Sequence, residues 1–390
     1  MLAVVEGIAV PEVALSVLDL APISEGATAA TAVRNTIDLA RHAERLGYKR
    51  YWLAEHHLAP GVAGSSPPVL GALVASATER IRVGSAGVQL AHRTPLSVVE
   101  EFGLIDALHP GRLDLGLGRS GKQLLRERAD RPPAPAAPPP DAGVLIPPPP
   151  DAGVLIPPPP DLRGLTRSPR LALTFGLLQQ PGAETPDYGE QVADILALLE
   201  GTYRSPEGLD AHAVPGEGAD VEVWILGSSG GASARTAGER GLRFVANYHV
   251  SPSTVLDAVG AYRAAFTPSK YLARPHVAVS ADVVVAETDA KAAELAAGYG
   301  PWVRSIRTGQ GAIPFPATET VAAQAWTDED AAIVADRVRT QFTGSPKTVA
   351  EGLRRLRDAT GADELVITTI THEHADRVRS YELLAGEWGR

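Results

Sequence analysis

The stretch YWLAEHH (51–57) ends an apolar, strand-like run in a glutamate and two adjacent histidines. Three ionisable groups at the end of a buried segment could be metal ligands, proton-handling groups or a polar cap. Adjacent residues of an extended chain point in opposite directions, so His56 and His57 are poorly placed to hold one ion together. An imidazole titrates near neutral pH and suits proton transfer, which marks His56 as a candidate working residue. His57 is read as a hydrogen-bonded support.

Three further stretches carry chemistry-bearing types. GLGRSG (116–121) offers Arg119 on a short glycine-flanked segment, and a guanidinium fork suits a phosphate dianion. WILGSSGGASARTAGERG (224–241) reads as a strand, a Gly/Ser-rich turn and a helix, which makes an anion site from exposed N–H groups and hydroxyls. It follows neither the Walker spacing nor the dinucleotide G-x-G-x-x-G pattern, so one phosphate fits better than a pyrophosphate. VGSAGVQL (83–90) is a strand with three small residues, Ser85, Ala86 and Gly87. Either something flat or bulky approaches the backbone there, or a barrel interior is packed with alternating small and large side chains. Together Arg119 and the Gly/Ser turn suggest a mononucleotide-type cofactor.

The elements that must position these groups alternate as βαβ units. Strands are expected at 13–20, 50–54, 80–90, 111–118, 221–227, 242–246, 276–286 and 363–370. A helix between the first two has Thr28 as cap and Gly47 as stop. In TGSPKTVAEGLRRL, Ser345 caps a helix whose first residue is Pro346, and a last helix runs over roughly 373–388. Eight βα units favour an α/β fold of the closed (β/α)8 TIM-barrel type over an open sheet. In a barrel, groups at the C-terminal ends of strands share one face, and 54–57, 119 and 227–229 all fall there. Metal-dependent barrel hydrolases need an H-x-H pair on the first strand, where this chain has SVLD, and HEH (372–374) runs into the last helix. No metal site is expected.

One segment breaks the pattern. Residues 122–186 are an insertion after the fourth strand, and within it 133–165 carries PPPDAGVLI twice, at 138–146 and 148–156. Proline lacks a backbone donor and favours polyproline II, so this is no barrel strand or helix interior. It reads as a flexible insertion grown by duplication, with a partner-docking or lid role as the alternative. The remainder of 1–390 is read as a single barrel domain.

Bulk properties narrow the classes. The chain of 390 residues is 44% hydrophobic with net charge −10, enough for a sizeable core and unsuited to neutralising nucleic-acid phosphates. No run approaches the roughly 20 apolar residues that span a bilayer. MLAVVEGIAVPEVAL lacks the basic start of a signal peptide, so a cytoplasmic protein is expected. With no cysteine, disulfides, thiolate metal sites and cysteine nucleophiles are excluded.

These features in this order resemble the luciferase-like flavin-dependent monooxygenases, the bacterial luciferase superfamily, and among them the single-chain members. The matching stretches are LSVLDLAPISEG, YWLAEHHLAPGVAGSSPP, RIRVGSAGVQLAHRTPLSVVEEFGLIDALHPGRLDLGLGR, VWILGSSGGASARTAGERGL and TGSPKTVAEGLRRLRDATGADELVITT. The resemblance implies that His56 is the catalytic histidine and that Arg119 binds the flavin phosphate, with Gly227, Ser228 and Ser229 forming the other half of that site. It places a non-proline cis peptide at Ala86–Gly87 under the flavin ring, with Ala54 and Glu55 beside it. Asn247 and Tyr248 are expected to line the pocket. Two departures stand out: the segment after Arg119 lacks the family's short G-T-D-like turn, and the cysteine near the flavin of luciferases is absent.

The implied activity is oxygenation of a small organic substrate by reduced FMN and O2 through a flavin peroxide. A separate flavin reductase would supply the cofactor, since no NAD(P)H fingerprint is present. A deazaflavin-dependent hydride-transfer enzyme of the same fold and a non-catalytic flavin-binding relative are the alternatives. The family's habit of pairing through helices near the second and third strands makes a homodimer the expected assembly, and SPPVLGALVASAT supplies an apolar helix there.

Overall fold

The structure is a computed structural model that describes residues 13–119, 153–160, 165 and 168–389, and the backbone of 144–145. Eight parallel strands carry the fold: β1 (Ala14–Asp19), β2 (Arg50–Leu53), β3 (Arg82–Ser85), β4 (Leu113–Gly118), β5 (Val221–Gly227), β6 (Arg243–Ala246), β7 (Val277–Val285) and β8 (Glu364–Thr368). Each pairs with the next, β8 pairs with β1, and β7 pairs with both β6 and β8, so the ladder closes on itself. All eight expected strands are present, and the closed (β/α)8 barrel is the architecture. No helix among the described residues is long and apolar enough to cross a membrane.

Side chains of a strand alternate between its two faces, and here that alternation separates two cores. Val17, Tyr51, Leu53, Val223, Ile225, Phe244, Leu365 and Ile367 face outward into the helix layer. Leu18, Trp52, Ala54, Trp224, Leu226, Val245, Ala278 and Val366 fill the barrel interior. Two residues below Trp52 and Trp224 on the same inner faces lie Arg50 and Glu222. Arg50 is 1% exposed and Asp114 and Glu364 are fully buried. Arg50 Nη1 lies 2.8 Å from Asp114 Oδ1 and 2.9 Å from Glu222 Oε2, and Nε lies 3.0 Å from Glu364 Oε1. The guanidinium also sits 4.7 Å from the Trp224 ring centroid. One cation thus ties β2 to β4, β5 and β8 at the N-terminal end of the barrel.

The third strand is broken where the small residues stand. Val83 pairs with Leu113, but Val88 pairs with Leu117. The offset falls from 30 to 29, so one extra residue is accommodated between them as a bulge. The Ala86–Gly87 peptide there is cis, as the resemblance implied. Ser85 Oγ accepts from Gly116 N at 3.0 Å and lies 2.8 Å from Gly116 O, bridging the lapse in the ladder. A Cβ at Gly84 would come within 2.2 Å of Asp114 O, and one at Gly116 within 1.9 Å of Ser85 O. Much of the small-residue pattern of β3 and β4 therefore serves their close approach, and only Ala86 opens onto the cavity described below.

The expected caps are also present. Thr28 Oγ1 accepts from Thr31 N, and Ser345 Oγ accepts from Thr348 N ahead of the helix Pro346–Thr360. Most of the duplicated segment lies outside the described residues. Its two VLI tails contribute Val144–Leu145 and Leu155–Ile156, which pair antiparallel apart from the barrel sheet. Val154 is buried in the outer core, and Tyr248 Oη donates to Leu155 O at 2.8 Å. The tail of the insertion does more than shade the barrel mouth: the helix Pro169–Leu178 forms a wall over it.

Replacing Arg50 by Met removes the buried cation that Asp114 and Glu364 share and leaves them only the more exposed Arg82 and Lys49, and breaking a buried pair in this way costs roughly 3–5 kcal/mol. Urea unfolding should show a loss of that size, with partial recovery in Arg50→Lys. An unchanged midpoint would contradict the role given to this layer.

Candidate active site

Glu55 organises the end of β2. Its carboxylate is buried, and Oε1 accepts from His57 Nε2 at 2.9 Å, His92 Nε2 at 3.0 Å and Arg93 Nε at 3.2 Å. Oε2 accepts from the Gln89 backbone N–H at 2.9 Å, while Gln89 Nε2 donates to Glu55 O at 2.7 Å. Burial alone would raise its pKa, but hydrogen bonds from His57, His92 and Gln89, with the charge of Arg93, bring it down to about 2. Glu55, expected beside the flavin ring, locks 54–57 to the segment after β3 and is not among the residues that line the cavity described below. His57 is support, packed edge-on against His92 with ring centroids 5.2 Å apart.

Glu55, His57 and His92 could present three ligand atoms within 4.8 Å of one another. The Arg93 guanidinium already sits on the same carboxylate oxygen, and its charge disfavours a cation there. In the HEH stretch, His374 Nε2 instead lies 2.8 Å from Asp38 Oδ2.

His56, on the opposite side of the chain, faces open space. Its backbone N–H donates to Gly64 O at 2.7 Å, and its ring borders a cavity of about 490 Å³ at the C-terminal end of the barrel. That volume lies in the range of cofactor and substrate pockets. Leu18, Leu20, Leu226, Trp302, Ile306 and Ile370 make most of its inner wall apolar, and Leu171, Phe175 and Leu178 cover it from the inserted helix. A second, open cleft of about 790 Å³ shares His56 and Leu58 with it. The His56 ring is open to these clefts yet deep among protein groups. Burial, helped by neighbouring His57, brings its pKa to about 4 against the pull of Glu55. It is an uncharged imidazole at neutral pH, and not the near-neutral titrating group expected from its type.

Of the residues named from sequence, Ala54, His56, His57, Ala86 and Asn247 line this cavity. Tyr248 does not: it is 1% exposed, turned into the core beside Phe342. His249, one residue on, takes the place in the wall. Arg119, Gly227, Ser228 and Ser229 lie beyond the wall, at the next strand ends. Gly118 pairs with Leu226, which does line the cavity, and Asn247 N donates to Gly227 O at 3.2 Å. Arg119 acts electrostatically on buried Tyr188, whose hydroxyl is hydrogen-bonded to Ser233 in the first turn of the helix Ala232–Glu239. Arg119 and that helix N-terminus thus share Tyr188 as a neighbour. Gly227 itself is glycine for packing, since a Cβ would come within 2.8 Å of the Phe244 ring. Gly230 N in the same turn is taken by Asp257 Oδ2 at 2.8 Å.

A flavin mononucleotide fits this arrangement. Small Ala54 and Ala86 leave room for flat rings, and Arg119 with the helix N-terminus suits one phosphate at the adjoining rim. The side-chain oxygens of Asn247 and Thr368, both cavity residues, are buried without a partner among the described residues. Such groups call for a donor from a bound molecule. The insertion helix, His249, Asp282 and Arg337 carried no sequence signal as site residues, because each comes from an element far along the chain and ordinary in type.

The low pKa of Glu55 has a pH signature. The folded value, about 2, lies below the ordinary 4.5, so the unfolded chain takes up that proton first. The stabilisation is fully present above about pH 4.5 and is lost as pH falls towards 2, amounting to about 3 kcal/mol. Glu55→Gln should flatten that limb of an acid titration of unfolding midpoints and lower stability at pH 7. An acid limb identical to wild type would refute the assignment.

The comparisons with known proteins agree with this geometry. The family model described as luciferase-like monooxygenase matches residues 13–137 and 179–364. The uncharacterised protein YvbT of Bacillus subtilis is 36% identical over 377 residues, covering 96% of each chain. A luciferase-like monooxygenase of Escherichia coli K12 is 30% identical over 372 residues, covering 95% of this chain and 96% of that one. Among solved structures, apo-MsnO8 superimposes with a TM-score of 0.75 at 30% identity, covering 96% of this chain and 98% of that one. The fold is shared, at 20% identity and TM-score 0.63, with the oxygenating constituent of 3,6-diketocamphane monooxygenase from Pseudomonas putida in complex with FMN, covering 97% and 98%. It is also shared, at 12% identity and TM-score 0.59, with an F420-dependent secondary alcohol dehydrogenase, covering 97% and 99%. This chain belongs to the luciferase-like monooxygenase family and is an oxidoreductase.

Proposed function

We propose that the protein is a flavin-dependent monooxygenase that uses reduced FMN and O2 to oxygenate a small organic substrate. The carrying observation is a largely apolar cavity bordered by the uncharged imidazole of His56, with an arginine and a helix N-terminus just beyond its wall at the adjoining strand ends. In this reading Arg119, Ser228 and Ser229, with Gly227 N–H, hold the phosphate. Ala54 and the Ala86–Gly87 segment form the platform for the rings. Reduced FMN, when bound, supplies the electrons that activate oxygen.

The chain's own work is positioning and shielding. Leu171, Phe175 and Leu178 close the mouth, held by Arg170 Nη2 donating to Leu58 O at 2.8 Å and Gln179 Nε2 to Ala91 O at 2.8 Å. This excludes the water that would otherwise protonate and discharge reactive species. His56, uncharged, can donate or accept one hydrogen bond at the reacting centre without delivering an acidic proton. Glu55 fixes its aim through the 54–57 backbone. FMN is favoured over a deazaflavin because the EHH stretch sets His56 on a largely apolar cavity, covered by the inserted helix, that suits oxygen chemistry. The chain is read as one barrel domain interrupted at 122–186, acting in the cytoplasm with reduced flavin from a separate reductase.

FMN titrations should give a Kd raised about tenfold to a hundredfold in Arg119→Met, the worth of a charge-assisted phosphate contact. In His56→Gln, FMN affinity should stay within about twofold of wild type while substrate-dependent oxygen uptake falls about a hundredfold or more. Tighter binding of deazaflavin than of FMN to the wild type would overturn the cofactor choice.

A homodimer through the second and third helices is part of the proposal. The helices Pro67–Ala77 and Pro95–Leu108 pack side by side and leave Val69, Leu73, Leu104 and Leu108 exposed, Leu108 at 77%. Sedimentation should find a dimer in the wild type and a monomer in Leu104→Lys/Leu108→Lys. A wild-type monomer would refute it.

A further inference from the structure

The cavity has a second polar wall that the cofactor reading does not use. It is built from the end of β6, the upper half of β7 and the helices Tyr299–Arg307 and Asp328–Thr340, which belong to the long excursion between β7 and β8. His249, Asp282 and Arg337 line the cavity there, among Trp302, Ile306 and Ile370.

The charges on this wall are balanced internally. Arg337 Nη2 lies 3.1 Å from Asp282 Oδ2, and Arg337 Nε and Nη2 donate to Tyr299 Oη at 3.0 and 2.7 Å. Tyr299 Oη in turn donates to the same Asp282 oxygen. One cation faces one carboxylate, so the wall has no net charge to offer an anionic substrate.

His249 is held by Ser280. Nδ1 lies 2.5 Å from Ser280 Oγ, whereas the other acceptor within reach of that hydroxyl, Ala246 O, is 3.5 Å away. Giving the hydroxyl proton to the shorter of these two contacts assigns it to Nδ1 and the ring hydrogen to Nε2, the assignment tested below. Burial, with the nearby positive charge of Arg337 and the neighbouring His56, brings the pKa of His249 to about 3. It stands as an uncharged donor at any pH where the protein works. The influence of His56 on His249 places the two imidazoles at the same cavity. Thr368, paired in register with Asp282, adds a hydroxyl with no partner among the described residues.

Resting on the reading that this cavity takes the cofactor and its substrate, we infer that His249 is a specificity-determining residue. Its Nε2–H donates to the one oxygen acceptor of an uncharged, otherwise apolar substrate and orients that substrate across the cavity from His56. Hydrocarbons leave this buried donor unpaired, and carboxylates find no uncompensated cation. Both are disfavoured.

The test uses the FMN-loaded protein and matched probes: cyclohexanone against methylenecyclohexane, 2-decanone against 2-methyl-1-decene, and cyclohexanecarboxylate as the anion. Kd values come from perturbation of the bound-flavin spectrum, with saturation-transfer NMR as a check. In the wild type each ketone should bind about tenfold more tightly than its hydrocarbon partner and more tightly than the carboxylate. In His249→Phe the ketone preference should fall to about twofold or less, with FMN affinity unchanged. Ser280→Ala, a smaller change, should also reduce the preference. Nitrogen-15 shifts of wild-type His249 should show the Nε2-protonated tautomer between pH 6 and 8. The proposal is overturned if wild type binds neither member of a pair or prefers neither, if the preference survives His249→Phe, or if the tautomer is Nδ1-protonated. FMN binding without the oxygen preference would overturn only this inference. Absence of FMN binding would overturn the cofactor reading together with it.

Discussion

A single buried guanidinium, that of Arg50, is what the rest of the barrel rests on. It faces Asp114, Glu222 and Glu364, so three strands that are distant in sequence meet one side chain at the N-terminal end. Isolated charges would be expelled from such a place, and they persist because each is paired and hydrogen-bonded. Trp52 and Trp224 lie over this layer in edge contact, ring centroids 5.0 Å apart. Interior volume is therefore filled from the bottom upward, and the unfilled part is left at the C-terminal mouth. The cavity is a consequence of where the bulky side chains stop.

The mouth repeats the same electrostatic rule with a different outcome. Glu55 is buried and charged, and its charge is spent on four donors that fix two chain segments. Asp282 is buried and offset by Arg337 and Tyr299. Beside them in the cavity wall, His56 and His249 are uncharged because the surrounding protein groups oppose their protonation. An apolar space bounded by neutral donors and acceptors suits chemistry that water would spoil. Arg119 and the helix N-terminus proposed to hold the phosphate stand apart, at the ends of β4 and β5, while the space beside Ala54 and Ala86 is left for flat rings.

Local signals served well where the chemistry itself is local. Period-two strands and the Thr28 and Ser345 caps were legible, because each depends on residues within a few positions. Other signals were legible but incomplete. The small residues of 83–90 suggested a flat ligand, yet Gly84 and Gly116 are set by the approach of β3 to β4. The sequence marks Glu55 as a site residue, and only the structure shows its carboxylate engaged by four donors. Tyr248 was counted as pocket and His249 passed over, because the last inward residue of a strand end depends on where the ladder stops.

By itself the sequence determined the fold class, the strand order and the family, since alternation, spacing and the EHH and GLGRSG stretches are properties of the linear chain. It also placed His56 and Arg119 on one face, because strand ends share a face in any parallel barrel. Only the tertiary structure decided the character of the site. Barrel closure brought Arg337 and the inserted helix Pro169–Leu178 over a cavity begun by Ala54 and Ala86. The surrounding protein groups keep two histidines neutral, and a pKa depends on what surrounds a side chain in space, not on what precedes it in sequence.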